Sequence, residues 1–134
     1  MTTGMGPPLG GTMNPWLFSA AILMIIVGLV HSVLGERLIF NRLRDVGLIP
    51  TVGGSHLRER HVRILWATWH FASVLGWAAA IILLYAANTA VPMLVIHALV
   101  AAAAAGGILV LVGTRGQHPG WIALLVVALL VLCR

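Results

Sequence analysis

Two histidines and a glutamate lie inside the most apolar segments of the sequence. His31 and Glu36 belong to the segment "VGLVHSVLGERLIF", and His70 belongs to the segment "RILWATWHFASVLGW". Ionisable side chains are costly in hydrocarbon, so at membrane depth they usually face other protein groups or a functional site. These three residues are therefore the first candidates for chemistry.

The residues around the two histidines are compatible with a b-type haem. On antiparallel neighbouring helices, His31 and His70 would lie at similar depth, each roughly 10 Å from the same end. Gly28 and Gly35 share a helix face with His31 and leave room for a flat ligand or a closely packed helix, and Trp66 shares a face with His70. Arginines near that end would suit the haem propionates. The candidate cofactor-binding residues are His31, His70, Gly28, Gly35, Trp66 and Arg63.

A simpler interpretation needs no cofactor. Polar residues of membrane helices often hydrogen-bond to a hydroxyl or carbonyl group of a neighbouring helix, and His31 and His70 are both placed to do so. The sequence also lacks the two histidines on each ligating helix that are common in bundles with two haems. At the level of sequence the alternatives of haem, metal or proton chemistry, and simple helix–helix bonding stay open.

A transition metal is a further candidate ligand, because imidazole and carboxylate groups suit zinc, iron or copper. The candidate metal ligands are His31, His70, His61 and Glu36. However, the spacing of His31 and Glu36 turns their side chains roughly 140° apart on a regular helix. We therefore expect Glu36 to form an ion pair with Arg60 or Arg63 at the end of the helices instead.

The elements that must position these residues are membrane helices. Of the 134 residues, 60% are hydrophobic and only 8% are charged, and the mean hydropathy is +1.04, whereas soluble domains carry about 25% charged residues. Apolar segments long enough to cross, or nearly cross, a bilayer cover about residues 16–38, 60–87, 91–113 and 118–133. We predict an all-α integral membrane protein whose residues 16–134 form a four-transmembrane-helix, up-down bundle with short loops. Residues 1–15, rich in Gly and Pro, are expected to be a flexible tail.

The fourth segment is shorter than the others. Its apolar part, "WIALLVVALLVL", gives roughly 18 Å of helix. A start at His118, with the Arg134 side chain extended to the interface, brings the length to about 25 Å. A thinned bilayer or a partner subunit would have to absorb the remaining mismatch.

The arginines predict the orientation of the chain. There is no lysine, and six arginines surround the first loop; we call them the arginine collar: Arg37, Arg42, Arg44, Arg58, Arg60 and Arg63. Arg115 falls on the same side, and only Arg134 falls on the other. The positive-inside rule then places the collar in the cytoplasm and both termini in the periplasm of a bacterial inner membrane. Because the charges flank apolar segments, we expect the collar to contact anionic lipid, and we expect no nucleic-acid binding.

The sequence lacks the short motifs of several enzyme classes. It contains no G-x-x-x-x-G-K-[ST], no G-x-S-x-G and no H-E-x-x-H, so no hydrolase, nucleotide-binding or nucleophile motif marks it as an enzyme. Its three acidic residues all fall outside the predicted outer half of the membrane. A carboxylate-driven pump across the bilayer is therefore not supported.

Two functions remain as hypotheses. The first is a small redox protein that relays electrons, for example to or from quinone, through a haem or metal between His31 and His70. The second is a cofactor-free accessory subunit or an oligomeric channel- or transporter-like protein, alone or in a larger membrane complex. The short fourth helix favours the second hypothesis, as does the stretch "LVAAAAAGGILV", whose small residues let another backbone approach closely.

Overall fold

The computed structural model describes residues 12–134, and within them the chain is entirely helical. Four α-helices, α1 to α4, and one 3-10 turn follow in the order Pro15–Leu38, the turn Phe40–Leu43, Glu59–Asn88, Met93–Gly113 and Gly120–Leu132. The predicted all-helical fold with four helices is therefore confirmed for these residues. Most of the predicted tail at residues 1–15 lies outside the described residues.

Three of the helices are long and apolar enough to cross a membrane, namely α1, α2 and α3. α4 is shorter, with 13 residues, and begins at Gly120 rather than at the expected His118. His118 lies in the preceding turn, where its Nδ1 accepts a hydrogen bond from the backbone N–H of Gly120 at 3.0 Å. The long apolar helices indicate a membrane protein.

The helices pack as an open arrangement. α1 packs against α2 and α4, and α4 packs against α3, whereas α2 and α3 do not pack along their lengths. The backbone N–H of Asn14 donates to the carbonyl of Ala87 at 2.8 Å, so the start of α1 lies beside the end of α2. In a closed four-helix bundle each helix packs against two neighbours, which gives four packed pairs. The α2–α3 pair is not packed here, so a closed bundle is not confirmed.

The apolar core lies towards the end of the molecule where α1 begins and α2 ends. Small side chains, above all alanines, bring the helices close together there, and close approach maximises dispersion contacts when lipid surrounds the protein. The buried members of this core are Leu17, Ala20, Ala21, Ala80, Leu83, Ala86, Ala87, Ile96, Ala103, Val127, Ala128 and Val131. The opposite end, which carries the arginine collar, is held together differently.

At this arginine-rich end the segment between α1 and α2 folds back onto both helices. Phe40 is fully buried, and its ring centroid lies 5.8 Å from that of Trp69 and 6.0 Å from that of His70. The backbone N–H of Thr51 donates to the carbonyl of Leu43 at 3.0 Å, which closes the segment. Phe40 therefore fixes the loop over the polar residues of α1 and α2.

Replacement of this buried ring should loosen the arginine-rich end. We expect Phe40→Ala to lower the free energy of unfolding by about 3–5 kcal/mol, because a large buried side chain leaves a cavity when it is removed. Phe71→Ala is the matched control, since Phe71 lies on α2 with 58% of its surface exposed. Equilibrium unfolding in detergent micelles measures the free energy of unfolding of both variants. Equal values for Phe40→Ala and Phe71→Ala would show that Phe40 does not anchor the loop.

Candidate functional site

Two tryptophans of α2 fill the spaces beside the predicted site glycines of α1. A Cβ atom at Gly35 would overlap the Trp69 indole, with Cε2 only 2.6 Å away, and a Cβ atom at Gly28 would lie 2.9 Å from Cδ1 of Trp77. Each indole also donates its N–H to a carbonyl of α1; for Trp77 the acceptor is Ile25, at 3.3 Å. The sequence left two roles open for Gly28 and Gly35, namely room for a flat ligand or close packing of a helix. The structure shows close packing, with the indoles of Trp77 and Trp69 in the space that a flat ligand would need.

His31 lies flat against one of these indoles. Its ring centroid is 4.3 Å from that of Trp69, and the ring planes differ by only 7°. Trp69 in turn donates its indole N–H to the carbonyl oxygen of His31 at 3.0 Å. Among the described residues, no hydrogen bond joins His31 to His70, so the two histidines take part in separate sets of contacts.

His70 is held between a hydroxyl group and a carboxylate of α1. Its Nδ1 lies 3.0 Å from Oγ of Ser32, and its Nε2 lies 3.5 Å from Oε2 of Glu36. The Ser32 hydroxyl donates a hydrogen bond of 3.0 Å to Oγ of Ser73, which is almost fully buried. A contact between a histidine and a hydroxyl group of the neighbouring helix is the arrangement expected if the two helices bond directly, without a cofactor.

Glu36 is fixed by two further donors. Arg44 forms an ion pair with Oε1, and the indole N–H of Trp66 donates to Oε2 at 3.2 Å. The Trp66 ring also meets the His70 ring edge-on, with 5.1 Å between centroids. We call Ser32, Glu36, Arg44, Trp66, His70 and Ser73 the polar cluster.

The prediction that Glu36 forms an ion pair with Arg60 or Arg63 is wrong. The 3-10 turn after α1 reverses the chain and brings Arg44 back to Glu36, whereas Arg63 pairs with Glu59, four residues earlier on the same helix, at 2.7 Å. Helix geometry alone could not predict this, because Arg44 lies beyond the end of α1.

The candidate metal ligands are not gathered at one point. His61 is exposed, and its Nε2 accepts a hydrogen bond from Arg60 at 3.3 Å instead of facing the polar cluster. Within residues 12–134, no group of three or more His, Cys, Asp and Glu side chains is arranged to hold a metal ion. Within the described residues, His70 and Glu36 form the one ion pair of the predicted set.

The polar cluster can support acid–base chemistry. A hydroxyl lies within hydrogen-bond distance of an imidazole, and that imidazole faces a fixed carboxylate, which is the arrangement that activates a nucleophile or transfers a proton. Ser32 and Glu36 also line a hollow on the surface of α1 together with Val33 and Arg37. The cluster is therefore accessible from outside the helices.

Sequence reasoning missed three members of the cluster, Ser32, Ser73 and Arg44. Ser73 follows His70 by three residues and so shares its helix face. A signal for Ser32 was present, because Ser32 precedes Glu36 by one helical turn and so shares its face. No periodic signal existed for Arg44, whose position depends on the 3-10 turn.

No protein-family model, curated protein or solved structure matches the chain.

The contact of Gly35 with Trp69 should tolerate no added methyl group. We expect Gly35→Ala to lower the free energy of unfolding by about 1–3 kcal/mol through overpacking, outweighing the gain of up to about 1 kcal/mol in helix propensity. Gly76→Ala is the matched control, because the nearest atom to its added Cβ would be Sδ of Met24 at 3.8 Å. Thermal unfolding followed by circular dichroism compares the variants, and a Gly35→Ala variant as stable as Gly76→Ala would contradict this packing.

Proposed function

We propose that the protein is a cofactor-free membrane subunit that self-associates through the outward side of α3. The observation that carries this proposal is a group of exposed alanines in the middle of α3, which we call the alanine face: Ala98, Ala101, Ala102 and Ala105. At 100° per residue these positions lie on one side of the helix. The proposal adopts the second of the two hypotheses drawn from the sequence.

The opposite side of α3 is already used for packing. Ala103 is buried, and a Cβ atom at Gly107 would lie 3.0 Å from the Leu125 side chain of α4. The run of small residues therefore has two sides, of which one packs against α4 and the other has no neighbour among the described residues.

The alanine face has the properties of a helix–helix contact. Small side chains let a second backbone approach closely, and in lipid such close packing drives association, because lipid chains are as apolar as the helix surface. Leu94 and Leu109, which are 78% and 74% exposed, flank the alanines towards either end of the helix. The exposure of the four alanines leaves this surface accessible to a second copy.

His97 gives a further reason to expect a protein partner. It is exposed on the same side of α3, one turn from Ala101, and forms no hydrogen bond with another described residue. An imidazole facing hydrocarbon is unfavourable, whereas a neighbouring subunit can supply a polar partner.

Single cysteines test the contact between two copies. In a Cys133→Ser background, we expect Ala101→Cys and Ala105→Cys to form disulfide-linked dimers on mild oxidation in liposomes. Ala103→Cys, which faces the inside, and Ile81→Cys, on the exposed outer side of α2, are the controls and should remain monomeric. Cross-linking at Ile81 equal to that at Ala101, or a monomer at all four positions, would contradict the proposal.

A haem or a metal ion between His31 and His70 stays a prediction that a spectrum can test. The contacts of both imidazoles with protein groups support the cofactor-free proposal, so we expect no Soret band before or after reduction and no stoichiometric transition metal by elemental analysis. A Soret band that is lost in His70→Ala would instead establish the redox hypothesis.

A further inference from the structure

We propose that Ser32 is a nucleophile, activated by His70 and Glu36, that attacks acyl esters of membrane lipids. This activity does not depend on self-association through α3. It rests on the positions of the three side chains and on the hollow beside them.

Ser32 and His70 lie at the distance of a nucleophile and its general base. The Ser32 hydroxyl donates to Ser73 in the structure, and rotation about its Cβ–Oγ bond turns the proton towards Nδ1 of His70. Oγ of Ser32 lies 3.0 Å from Nδ1 of His70, and Nε2 of the same ring lies 3.5 Å from Oε2 of Glu36. In serine hydrolases the roles of the two ring nitrogens are the reverse, but either nitrogen can take the proton if the other faces a carboxylate. Such sites are recognised by geometry and not by sequence order, so the absence of a G-x-S-x-G motif does not oppose the assignment.

The carboxylate is held in place for this role. Arg44 binds one oxygen of Glu36, and Trp66 donates to the other at 3.2 Å. The ring of Phe40, fully buried, packs beside His70 on the loop side. The orientation of the imidazole is thus fixed by groups that do not themselves react.

The site is accessible from the surrounding lipid. The side chains of His70 and Glu36 are 27% and 33% exposed, whereas Ser73, the other hydroxyl in the cluster, is only 2% exposed. Ser32 lines a hollow with Val33, Glu36 and Arg37. Ser32 is therefore the hydroxyl that a substrate can approach.

The depth of Ser32 selects the class of substrate. Ser32 lies about 7.5 Å along the helix from Arg37, which belongs to the charged end of α1. The interfacial layer of a bilayer is roughly 5–7 Å thick on each side, so a phosphate near Arg37 places the acyl ester bonds of the same lipid near Ser32. The Val33 side of the hollow suits the acyl chain, and the Arg37 side suits an anionic head group.

The reaction is a transfer of the acyl group to Ser32 followed by hydrolysis. Oγ of Ser32 forms a bond to the ester carbonyl carbon while its proton passes to Nδ1 of His70. The carbon–oxygen bond to the lipid alcohol then breaks, and His70 returns the proton to the leaving alkoxide. Water, deprotonated by His70, then attacks the acyl-serine carbonyl carbon. The bond between that carbon and Oγ of Ser32 breaks, His70 returns the proton to Oγ, and the fatty acid leaves.

A serine-reactive alkyl fluorophosphonate tests the nucleophile directly. With full-length protein in detergent micelles, mass spectrometry should find the adduct on Ser32, and Ser32→Ala should abolish it. His70→Asn should slow labelling by roughly 100-fold or more, the usual scale of general-base catalysis. Ser55 is an exposed serine outside the cluster, so Ser55→Ala should leave the rate of fluorophosphonate labelling unchanged. In a Cys133→Ser background, the thiol introduced by Ser32→Cys should be alkylated by an iodoacetamide probe.

Two results would overturn the assignment of Ser32 as a nucleophile. One is the absence of an adduct on Ser32 under conditions that label a known serine hydrolase. The other is labelling of His70→Asn as fast as that of the wild type while the circular dichroism of both proteins is the same.

The substrate class has its own test. Vesicles of phosphatidylglycerol should release fatty acid with wild type but not with Ser32→Ala, and the ether-linked analogue should release none. Labelling of Ser32 without fatty acid release would overturn the lipid ester as substrate.

Discussion

The need to satisfy polar groups within the protein governs the arginine-rich half of this molecule. Hydrocarbon offers no hydrogen-bond partners, so the histidine, serines and glutamate of α1 and α2 must bond across the contact between the two helices. Nδ1 of His70 lies within hydrogen-bond distance of Ser32, and its Nε2 faces Glu36 at 3.5 Å. This requires a close and fixed contact between the helices. The glycines that receive the Trp69 and Trp77 indoles permit that contact.

The two ends of the molecule are therefore built by different means. At one end, buried alanines and branched aliphatic residues of all four helices form a dry core. At the other end, α1 and α2 are joined by indoles, hydrogen bonds and a loop held down by Phe40. Chemical reactivity, as distinct from self-association through α3, is expected at the second end, because reactive groups there are ordered but still partly exposed.

The sequence predicted the helices well and the site only in part. Apolar length and the Gly and Pro residues of the loops were enough to predict four helices, because these signals are local. Periodicity also pointed to His31, His70 and their glycines, but it could not show that tryptophans enter the glycine spaces. The ion pair of Glu36 with Arg44 was missed since it depends on a chain reversal, which no helical spacing describes. The absence of packing between α2 and α3 was likewise not predictable from two helices joined by a short turn.

The contacts of His70 with Ser32 and Glu36 join α2 to α1, and solid-state NMR of the protein in lipid bilayers measures them most directly. With ¹⁵N-labelled histidine and ¹³C-labelled serine and glutamate, we expect through-space cross-peaks from Nδ1 of His70 to Cβ of Ser32 and from Nε2 to Cδ of Glu36. Cross-peaks from His70 to neither residue, with a ring nitrogen shifted to the range of a metal-bound imidazole, would contradict these contacts and return the redox hypothesis to first place.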